Sequence, residues 1–167
     1  MKIRLEVEKD QDDVRTIHLA AFKGSGEAKL VDFLKEKASP LISLIAEDGE
    51  GKIVGHIMFS PVTLSDHYIN IMGLGPVAVL PDSQNKGFGA ALINKGLEEC
   101  KKWVLRASSC SVTLIIYPRF GFKTLTEYGI SCEYDVSAEY FIALELVEGA
   151  FDDVSGQIKY HPAFIEL

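Results

Sequence analysis

The sequence predicts a single domain of the α/β (α+β) class over residues 1–167, and three patterns carry that prediction. Short runs in which apolar and polar residues alternate are typical of half-buried strands. Two segments near the N-terminus and one after residue 87 repeat their apolar residues at helical spacing. A short apolar strand leads into that third helix through a turn and a glycine-containing loop. With 167 residues the chain is long enough for one sizeable core.

Each predicted element follows from its period and its flanking turn residues. Acidic residues lie near the start of the first helix, where the helix dipole favours them. Asp48–Gly51 is a strong hairpin signal between two strands. The predicted elements are, in order, a strand over Ile3–Val7, helices over Asp10–Phe22 and Ala28–Ala38, strands over Leu41–Glu47 and Ile53–Pro61, a polar extension over Val62–Ile69, a strand over Asn70–Leu80, the helix from Gly87, and strands over Ser111–Ile116, Glu133–Val136 and Phe141–Leu146, with the tail Gly156–Phe164 unassigned.

The start of the third helix lacks the acidic residues that helix N-termini favour. Nothing acidic occurs from residue 83 to residue 97, whereas Lys86, Gly87 and Gly89 lie at the opening. The glycines leave backbone N–H groups uncovered, which is typical of a phosphate or pyrophosphate site. A P-loop would end in Gly-Lys-Ser/Thr, and a dinucleotide fingerprint would place a glycine where Leu92 stands, so neither is predicted. The alternative is that the glycines only make the connection between strand and helix flexible and that no ligand binds there.

Charge and cysteine content exclude several classes of function. A net charge of −7 argues against nucleic acid and is compatible with a cationic amine substrate. Cys100, Cys110 and Cys132 show no C-x-x-C spacing, which argues against a disulfide scaffold and against a metal site, and Cys100 falls on an apolar helical stripe and is predicted to be core. The N-terminal residues include acidic side chains where a signal peptide would have its apolar run. No segment of 18 apolar residues occurs in the sequence. We therefore expect a cytoplasmic protein without a membrane partner.

The loop Gln84–Gly89, with the sequence QNKGFG, resembles the Q/R-x-x-G-x-G/A loop of the GNAT superfamily of acyl-CoA-dependent N-acetyltransferases. The resemblance implies a mixed, mostly antiparallel twisted sheet, flanked by helices and splayed at its central strands. It implies that the loop amides hold the pyrophosphate of acetyl-CoA and that the preceding strand pairs with its pantetheine arm. In this fold the first two helices flank the acceptor cleft. The implied cofactor-binding residues are Val77, Ala78, Val79, Gln84, Asn85, Lys86, Gly87, Phe88, Gly89 and Ala90.

Further segments are similar to the YhbS-type subgroup of this superfamily. They include Gly55-His56, Leu74–Val77, Tyr117–Phe122 and Tyr160–Phe164. One segment departs from the subgroup, which usually reads G-D-P-x-Y-Y before the R-F-G-F element. Here Val112–Ile116 is a β-like run that precedes Tyr117, so the departure bears on catalytic competence more than on cofactor binding.

Acetyl transfer from a thioester to an amine needs aligned reactants, a stabilised oxyanion, a neutral amine and a proton for the thiolate. By resemblance, Tyr117 of the Y-x-x-x-G-F signature is the predicted proton donor, and its alternative is a tyrosine packed against neighbouring aromatic rings. His56 is a predicted catalytic residue, since its parity is opposite to that of Ile57 and it can face either the cleft or solvent. Water is an alternative base, and the other candidates are His67, Glu127, Glu133, Asp135 and His161.

Two functions of different classes follow from these observations. The first is an N-acetyltransferase that moves the acetyl group of acetyl-CoA to a primary amine, on a small molecule or a peptide, by direct attack. The second is an acyl-CoA-binding regulatory or interaction module that kept the loop and lost turnover, and the rewritten Val112–Ile116 segment favours it. A generic nucleotide-phosphate binder is disfavoured by the missing P-loop signals. Both a monomer and a homodimer stay open.

Overall fold

The structure is a computed structural model, which describes residues 1–64, 67–106, 123–133 and 141–166. A first strand, two helices, three consecutive strands and a third helix follow one another up to residue 106, and short strands come after them. The elements are β1 (Lys2–Leu5), α1 (Gln11–Ala21), α2 (Gly26–Lys37), β2 (Ile42–Glu47), β3 (Ile53–Leu64), β4 (His67–Val79), α3 (Phe88–Arg106), β5 (Lys123–Thr124), β6 (Ile130–Cys132), β7 (Ile142–Ala143) and β8 (Gly156–Lys159), with 3-10 turns at Glu8–Asp10, Pro81–Ser83, Leu125–Tyr128 and Pro162–Glu166.

The described residues form two compact units, and β3 and β4 run through both. The first unit takes its residues from Met1–Ser60, Gly75–Glu99 and Pro162–Leu167. Its strands β1, β2 and β3 pair antiparallel in that order, with β4 on β3. One core cluster of this unit joins α1 and α2 to the sheet through the buried residues Val14, Leu30, Val31, Leu34, Ile45, Met58 and Ala163.

Successive residues of β3 in the first unit point to opposite faces, as the pleat of a strand requires. On one face, Met58 packs in the cluster with α1 and α2. On the other face, Phe59 lies against Gly96 of α3, and Gly55 lies beside Leu92. Therefore α3 covers one face of β3, and α1 with α2 covers the opposite face.

The second unit takes its residues from Pro61–Leu74 and Cys100–His161. In it β8 pairs antiparallel with the end of β3 and parallel with β6, while β5 and β7 form a separate antiparallel pair. Its core is made of Val62, Leu64, Ile71, Leu125, Ile130, Ala143, Phe151 and Ile158.

The hairpin and the three helices agree with the sequence prediction, and Cys100 is buried as predicted. In the hairpin the Asp48 carboxylate accepts the backbone N–H groups of Glu50 and Lys52 at 2.9 and 3.0 Å, which fixes the turn. None of the described helices is long and apolar enough to cross a membrane.

The predicted polar extension at Val62–Ile69 is wrong for its described residues. Val62 and Leu64 are buried and alternate with the exposed Thr63, so β3 continues to Leu64, and β4 already begins at His67. Residues 65–66 lie outside the described part.

The predicted closing strands differ from the structure in their bounds. Strand β6 covers Ile130–Cys132, before the predicted Glu133–Val136, and the Glu133 N–H makes the last bond of its parallel ladder, to the carbonyl oxygen of Ile158 at 3.1 Å. In the segment Phe141–Leu146 only Ile142–Ala143 is strand, and the unassigned tail contains β8. The predicted strand Ser111–Ile116 and residues 134–136 lie outside the described residues.

Candidate functional site

Strand β4 ends at a tight turn that leads the chain into α3. The Leu80 N–H still donates to the carbonyl oxygen of Val54 on β3, at 2.9 Å, and Pro81–Ser83 then makes a 3-10 turn. The Gln84 side chain reaches back, and its Nε2 donates to the carbonyl oxygen of Val79 at 3.1 Å. Gln84 therefore ties the loop to the strand end.

The loop after this turn contains two residues with left-handed backbone conformations. Asn85 has φ of 60° and Gly87 has φ of 86°. Asn tolerates this region better than most residues, and Gly adopts it without strain. Alternation between right- and left-handed conformations turns successive backbone N–H groups towards one concavity, which is a known geometry for anion binding.

The start of α3 continues the same N–H surface. The first helical hydrogen bond runs from Ala91 N–H to the carbonyl oxygen of Gly87, at 3.0 Å. The N–H groups of the residues before it, Phe88, Gly89 and Ala90, have no intrahelical acceptor, as at any helix start. The first turn has no acidic residue, so the positive end of the helix dipole has no negative side chain beside it.

Phe88 and Gly89 have different roles at the start of α3. Phe88 is only 8% exposed and anchors the first turn in the core. A Cβ added at Gly89 would meet only the Val79 side chain, at an ordinary contact distance of 3.9 Å. The fold itself does not require a glycine at position 89, so the open space there is available to a ligand.

Helix α3 sits close to β3 because Gly96 has no side chain. A Cβ at position 96 would lie 2.1 Å from Cζ of Phe59, a ring that is fully buried. The sequence reasoning missed Gly96, since a lone glycine inside an amphipathic helix signals only a propensity cost. This contact fixes the distance of α3 from the sheet.

His56, the predicted catalytic histidine, is fully buried on the α1 face of β3. Its Nδ1 lies 2.8 Å from Nε2 of His18 on α1, and its Nε2 lies 2.8 Å from Oγ of Ser43 on β2. The alternative that it faces solvent is thereby excluded. Its role in catalysis stays a prediction.

Ser43 Oγ also donates a hydrogen bond to the carboxylate of Glu6. Nζ of Lys35 on α2 donates to the same carboxylate. Burial would raise the pKa of Glu6, but hydrogen bonds from His56, Lys35 and Ser43 outweigh it and lower that pKa to about 2. Burial is also the main reason that the pKa of His56 is lowered and that the pKa of His18 falls to about 3.

The sequence reasoning missed this network, although a signal existed. His18 lies on the apolar face of the predicted first helix, and a buried histidine needs a polar partner. A hydrogen bond between His18 and His56, two inward-facing histidines on different elements, could therefore have been predicted.

The other described candidates for the base, His67, Glu127, Glu133 and His161, belong to the second unit. Glu127 accepts hydrogen bonds from the hydroxyl and N–H of Thr124, which lower its pKa, and Glu133 accepts the N–H of Tyr160 at 2.7 Å. His67 begins β4, and His161 is half-buried after β8. Tyr117 and Asp135 lie outside the described residues.

A cavity of about 640 Å³ in the first unit is lined in part by Leu80, Pro81 and Asp82 of the turn before the loop. Arg4, Asp10 and Glu47 are among its polar lining residues, and Ile17 and Leu80 are among its apolar ones. Arg4 binds Asp10 through both guanidinium nitrogens and binds Glu47 at 2.7 Å, so its charge is already neutralised. None of the predicted site residues lines this cavity.

With this geometry established, comparisons with known proteins are decisive. The sequence profile of the acetyltransferase (GNAT) domain matches residues 2–125. The chain belongs to the GNAT family. The predicted resemblance and the predicted mixed, mostly antiparallel fold are therefore confirmed.

The GNAT relatives include two proteins of Escherichia coli strain K12. The chain is 28% identical to the uncharacterized N-acetyltransferase YhbS over 98% of both chains. It is 35% identical to the uncharacterized N-acetyltransferase YjhQ over 78% of this chain and 75% of that protein.

Two solved GNAT structures superpose on the chain. The crystal structure of Escherichia coli YhbS in complex with CoA matches with a TM-score of 0.87 and 26% identity, covering 98% of this chain and 91% of that one. A GNAT acetyltransferase from Brucella melitensis in complex with acetyl-CoA matches with a TM-score of 0.75 and 32% identity, covering 98% and 97%.

Proposed function

We propose that this protein is an acetyl-CoA-dependent N-acetyltransferase that transfers the acetyl group to a primary amine by direct attack. The observation that carries the proposal is the acid-free start of α3, preceded by left-handed backbone conformations at Asn85 and Gly87, which are typical of loops whose N–H groups bind an anion. The pyrophosphate of coenzyme A is the kind of anion such a helix start binds. Two GNAT relatives crystallised with CoA or acetyl-CoA support the choice of ligand.

The backbone N–H groups of residues 85–90 would hold the pyrophosphate, with the exposed Lys86 as a nearby counter-charge. Strand β4 pairs with β3 within the described residues, which leaves its other edge free of described partners. Val77, Ala78 and Val79 would offer that edge to the pantetheine arm. When bound, acetyl-CoA supplies the acetyl group as an activated thioester.

The protein's own residues would position the two reactants, donate a hydrogen bond to the thioester oxygen and donate a proton to the sulfur. A backbone N–H near the end of β4 would donate to the thioester oxygen as negative charge develops there. The Tyr117 hydroxyl would give its proton to the sulfur as the carbon–sulfur bond breaks and the carbon–nitrogen bond forms. The amine proton would leave to a base or to water.

Cofactor binding is tested by Gly89→Glu. The substitution places bulk and negative charge in the open space at the helix start, so we expect titration calorimetry to detect no acetyl-CoA binding. Gly49→Glu is the matched control, because a Cβ at Gly49 also meets nothing within 4 Å and its φ lies outside the left-handed region. Unchanged affinity in Gly89→Glu, with Gly49→Glu also unchanged, would remove the loop from the site.

Turnover is tested by release of free thiol from acetyl-CoA in the presence of amino acids, polyamines, aminoglycosides and peptides. If an acceptor is found, Tyr117→Phe is expected to lower kcat with nearly unchanged acetyl-CoA affinity, since only the proton donor is lost. Undiminished kcat would exclude Tyr117 as the acid. Acetyl-CoA binding without thiol release from any amine would favour the binding-module alternative, which the departure at Val112–Ile116 motivates.

A further inference from the structure

Strand β1 lies at an edge of the sheet in the first unit. Among the described residues it pairs with β2 alone. In an antiparallel pair, one residue turns its N–H and C=O towards the neighbouring strand, and the next residue turns both groups away. The Glu6 N–H donates to the carbonyl oxygen of Ser43 at 3.0 Å, so the even-numbered residues of this stretch turn towards β2. The backbone groups of Ile3 and Leu5 therefore point to the open edge.

The same stretch carries an apolar stripe on one face. Side chains alternate along an extended chain, so the odd-numbered residues Met1, Ile3, Leu5 and Val7 share a face. Met1, Leu5 and Val7 are 57%, 56% and 47% exposed, and no other large hydrophobic residue that the structure describes is more exposed. Leu44, which pairs with Leu5, is buried, so this face is covered at β2 and open at β1. Exposed apolar side chains that lie together mark an interaction surface.

The polar side chains of β1 leave this edge accessible. Arg4 is bound to Asp10 and Glu47, which neutralise its charge. Its Nη1 also donates to the carbonyl oxygen of Leu5 at 3.1 Å, and that oxygen keeps a second lone pair for a donor from outside. The N–H groups of Ile3 and Leu5 point away from β2 and need an acceptor on the open side.

We infer that the protein forms a homodimer in which β1 pairs antiparallel with β1 of a second copy, across a twofold axis perpendicular to the sheet. Both outward-facing residues are used when Ile3 lies opposite Leu5 of the partner subunit. Such a pair exchanges two N–H···O=C bonds, and the axis creates the same pair a second time. This inference is independent of the proposed function.

In this register the side chains of the two copies are complementary. Met1 lies opposite Val7 of the partner subunit, so the two apolar stripes join into one surface. On the other face, Lys2 lies opposite Glu6 of the partner subunit, a pair of opposite charges. The two copies of Arg4 lie opposite each other at the axis, and each is already neutralised within its own chain.

The neighbouring registers are less favourable. Shifting the pairing by two residues in one direction would put Lys2 opposite Arg4 of the partner subunit, which are like charges. Shifting it in the other direction would put Ile3 opposite Val7 of the partner subunit. The Val7 N–H already donates to the Asp10 carboxylate at 2.9 Å, so that pair would lack one of its two bonds.

A second copy fits this edge better than a flexible peptide does. Its β1 is already held extended by β2, so it loses little conformational freedom on pairing. The contact uses about seven residues of each copy, fewer than the roughly 20–30 of a stable interface. We therefore expect a reversible dimer, with a Kd of about 10 µM to 1 mM.

The first test is sedimentation equilibrium of the whole chain at about 10 µM to 1 mM. About 0.15 M salt screens the repulsion between two chains of net charge −7. With rising concentration the wild-type mass should shift from that of one chain towards that of two. Leu5→Lys places a charge in the joined stripes and should weaken association at least about tenfold. Leu19→Lys is the matched control, since Leu19 is 45% exposed on α1, outside the stripe, and its Kd should stay within about twofold of wild type.

Each contrary outcome is decisive. A wild-type protein that stays monomeric throughout would overturn the inference and would leave an extended segment of another protein as the occupant of this edge. Undiminished association in Leu5→Lys would overturn it too, because the interface would then lie elsewhere. Equal weakening in Leu19→Lys would show an effect of charge in general and would overturn the assignment to β1.

Amide hydrogen exchange tests the strand pairing without any variant. In NMR spectra of the wild-type protein, the N–H groups of Ile3 and Leu5 should exchange fast in dilute samples and more slowly as the dimer fraction rises. The Glu6 N–H, which is bonded to Ser43, should be protected at every concentration. A dimer in which Ile3 and Leu5 stay unprotected would overturn the pairing. Acetyl-CoA is absent from both measurements, so their failure is distinct from a failure of the proposed function.

Discussion

The contact between Gly96 and Phe59 allows the seating of α3 on the sheet to be tested by one methyl group. In Gly96→Ala the new Cβ would lie 2.1 Å from Cζ and 2.2 Å from Cε2 of Phe59, where ordinary contacts begin at 3.4 Å. The helix or the ring would have to move by more than about 1 Å. Phe59 is fully buried, so the ring has no solvent space to enter.

Two opposing effects set the magnitude. Overpacking of a buried site costs about 1–3 kcal/mol, and occasionally more. Replacing glycine by alanine inside a helix contributes about 1 kcal/mol in the stabilising direction. The contact is closer than a well-packed core allows, so we expect Gly96→Ala to lower the free energy of unfolding by about 1–2 kcal/mol.

The assay is urea unfolding followed by circular dichroism, without cofactor. Gly89→Ala is the matched control on the same helix, since its Cβ meets only Val79 at 3.9 Å. Adding Phe59→Leu to Gly96→Ala should cost less than the sum of the two single changes, with a coupling of about 0.5–3 kcal/mol. A Gly96→Ala variant as stable as wild type, or strictly additive free energies, would refute the close approach of helix and ring.

Three further predictions concern the cofactor loop, a buried ion pair and the histidines. Gly89→Ala should leave stability unchanged or raise it while weakening acetyl-CoA binding in calorimetry, and equal affinity would mean that no ligand occupies that space. Asp10→Asn should lower the free energy of unfolding by about 2–4 kcal/mol in urea titration, because the buried Asp10 binds Arg4 twice and caps Val7 N–H, whereas Asp32→Asn in an exposed pair should cost about 0–1 kcal/mol. Because the pKa of His18 is lowered to about 3 in the folded state, the unfolded chain binds more protons below pH 6.5, so stability should fall from pH 6.5 towards pH 3, by up to about 1.4 kcal/mol per pH unit from His18. The lowered pKa of His56 acts in the same direction. His18→Gln should flatten that slope in thermal unfolding measured at each pH, and an unchanged slope would contradict the assignment.

Local patterns predicted those elements whose stability is local. The Asp48–Gly51 hairpin was predictable because its turn residues bond their own backbone, and α3 because one face is apolar and its start is free of acids. The C-terminal third was predicted less well. Strand β8 was not predictable from Gly156–Lys159 alone, because it exists by pairing with β3 and β6, which are distant in sequence.

The partners of buried polar groups also depended on tertiary structure. The alternation of side chains along β3 placed His56 on the face opposite to Ile57. Alternation alone did not show whether that face is a cleft, the solvent or the core. The answer came from α1 crossing that face of the strand, which brings His18 within 2.8 Å of a residue 38 positions away.

The sequence by itself determined that an acid-free, glycine-containing helix start follows a short apolar strand, because dipole, charge and glycine content are properties of neighbouring residues. Only the tertiary structure decided how close α3 lies to β3 and which groups satisfy Glu6, Ser43 and the two histidines. Those contacts join residues far apart in the chain, and their geometry depends on how helices and strands pack rather than on any local pattern.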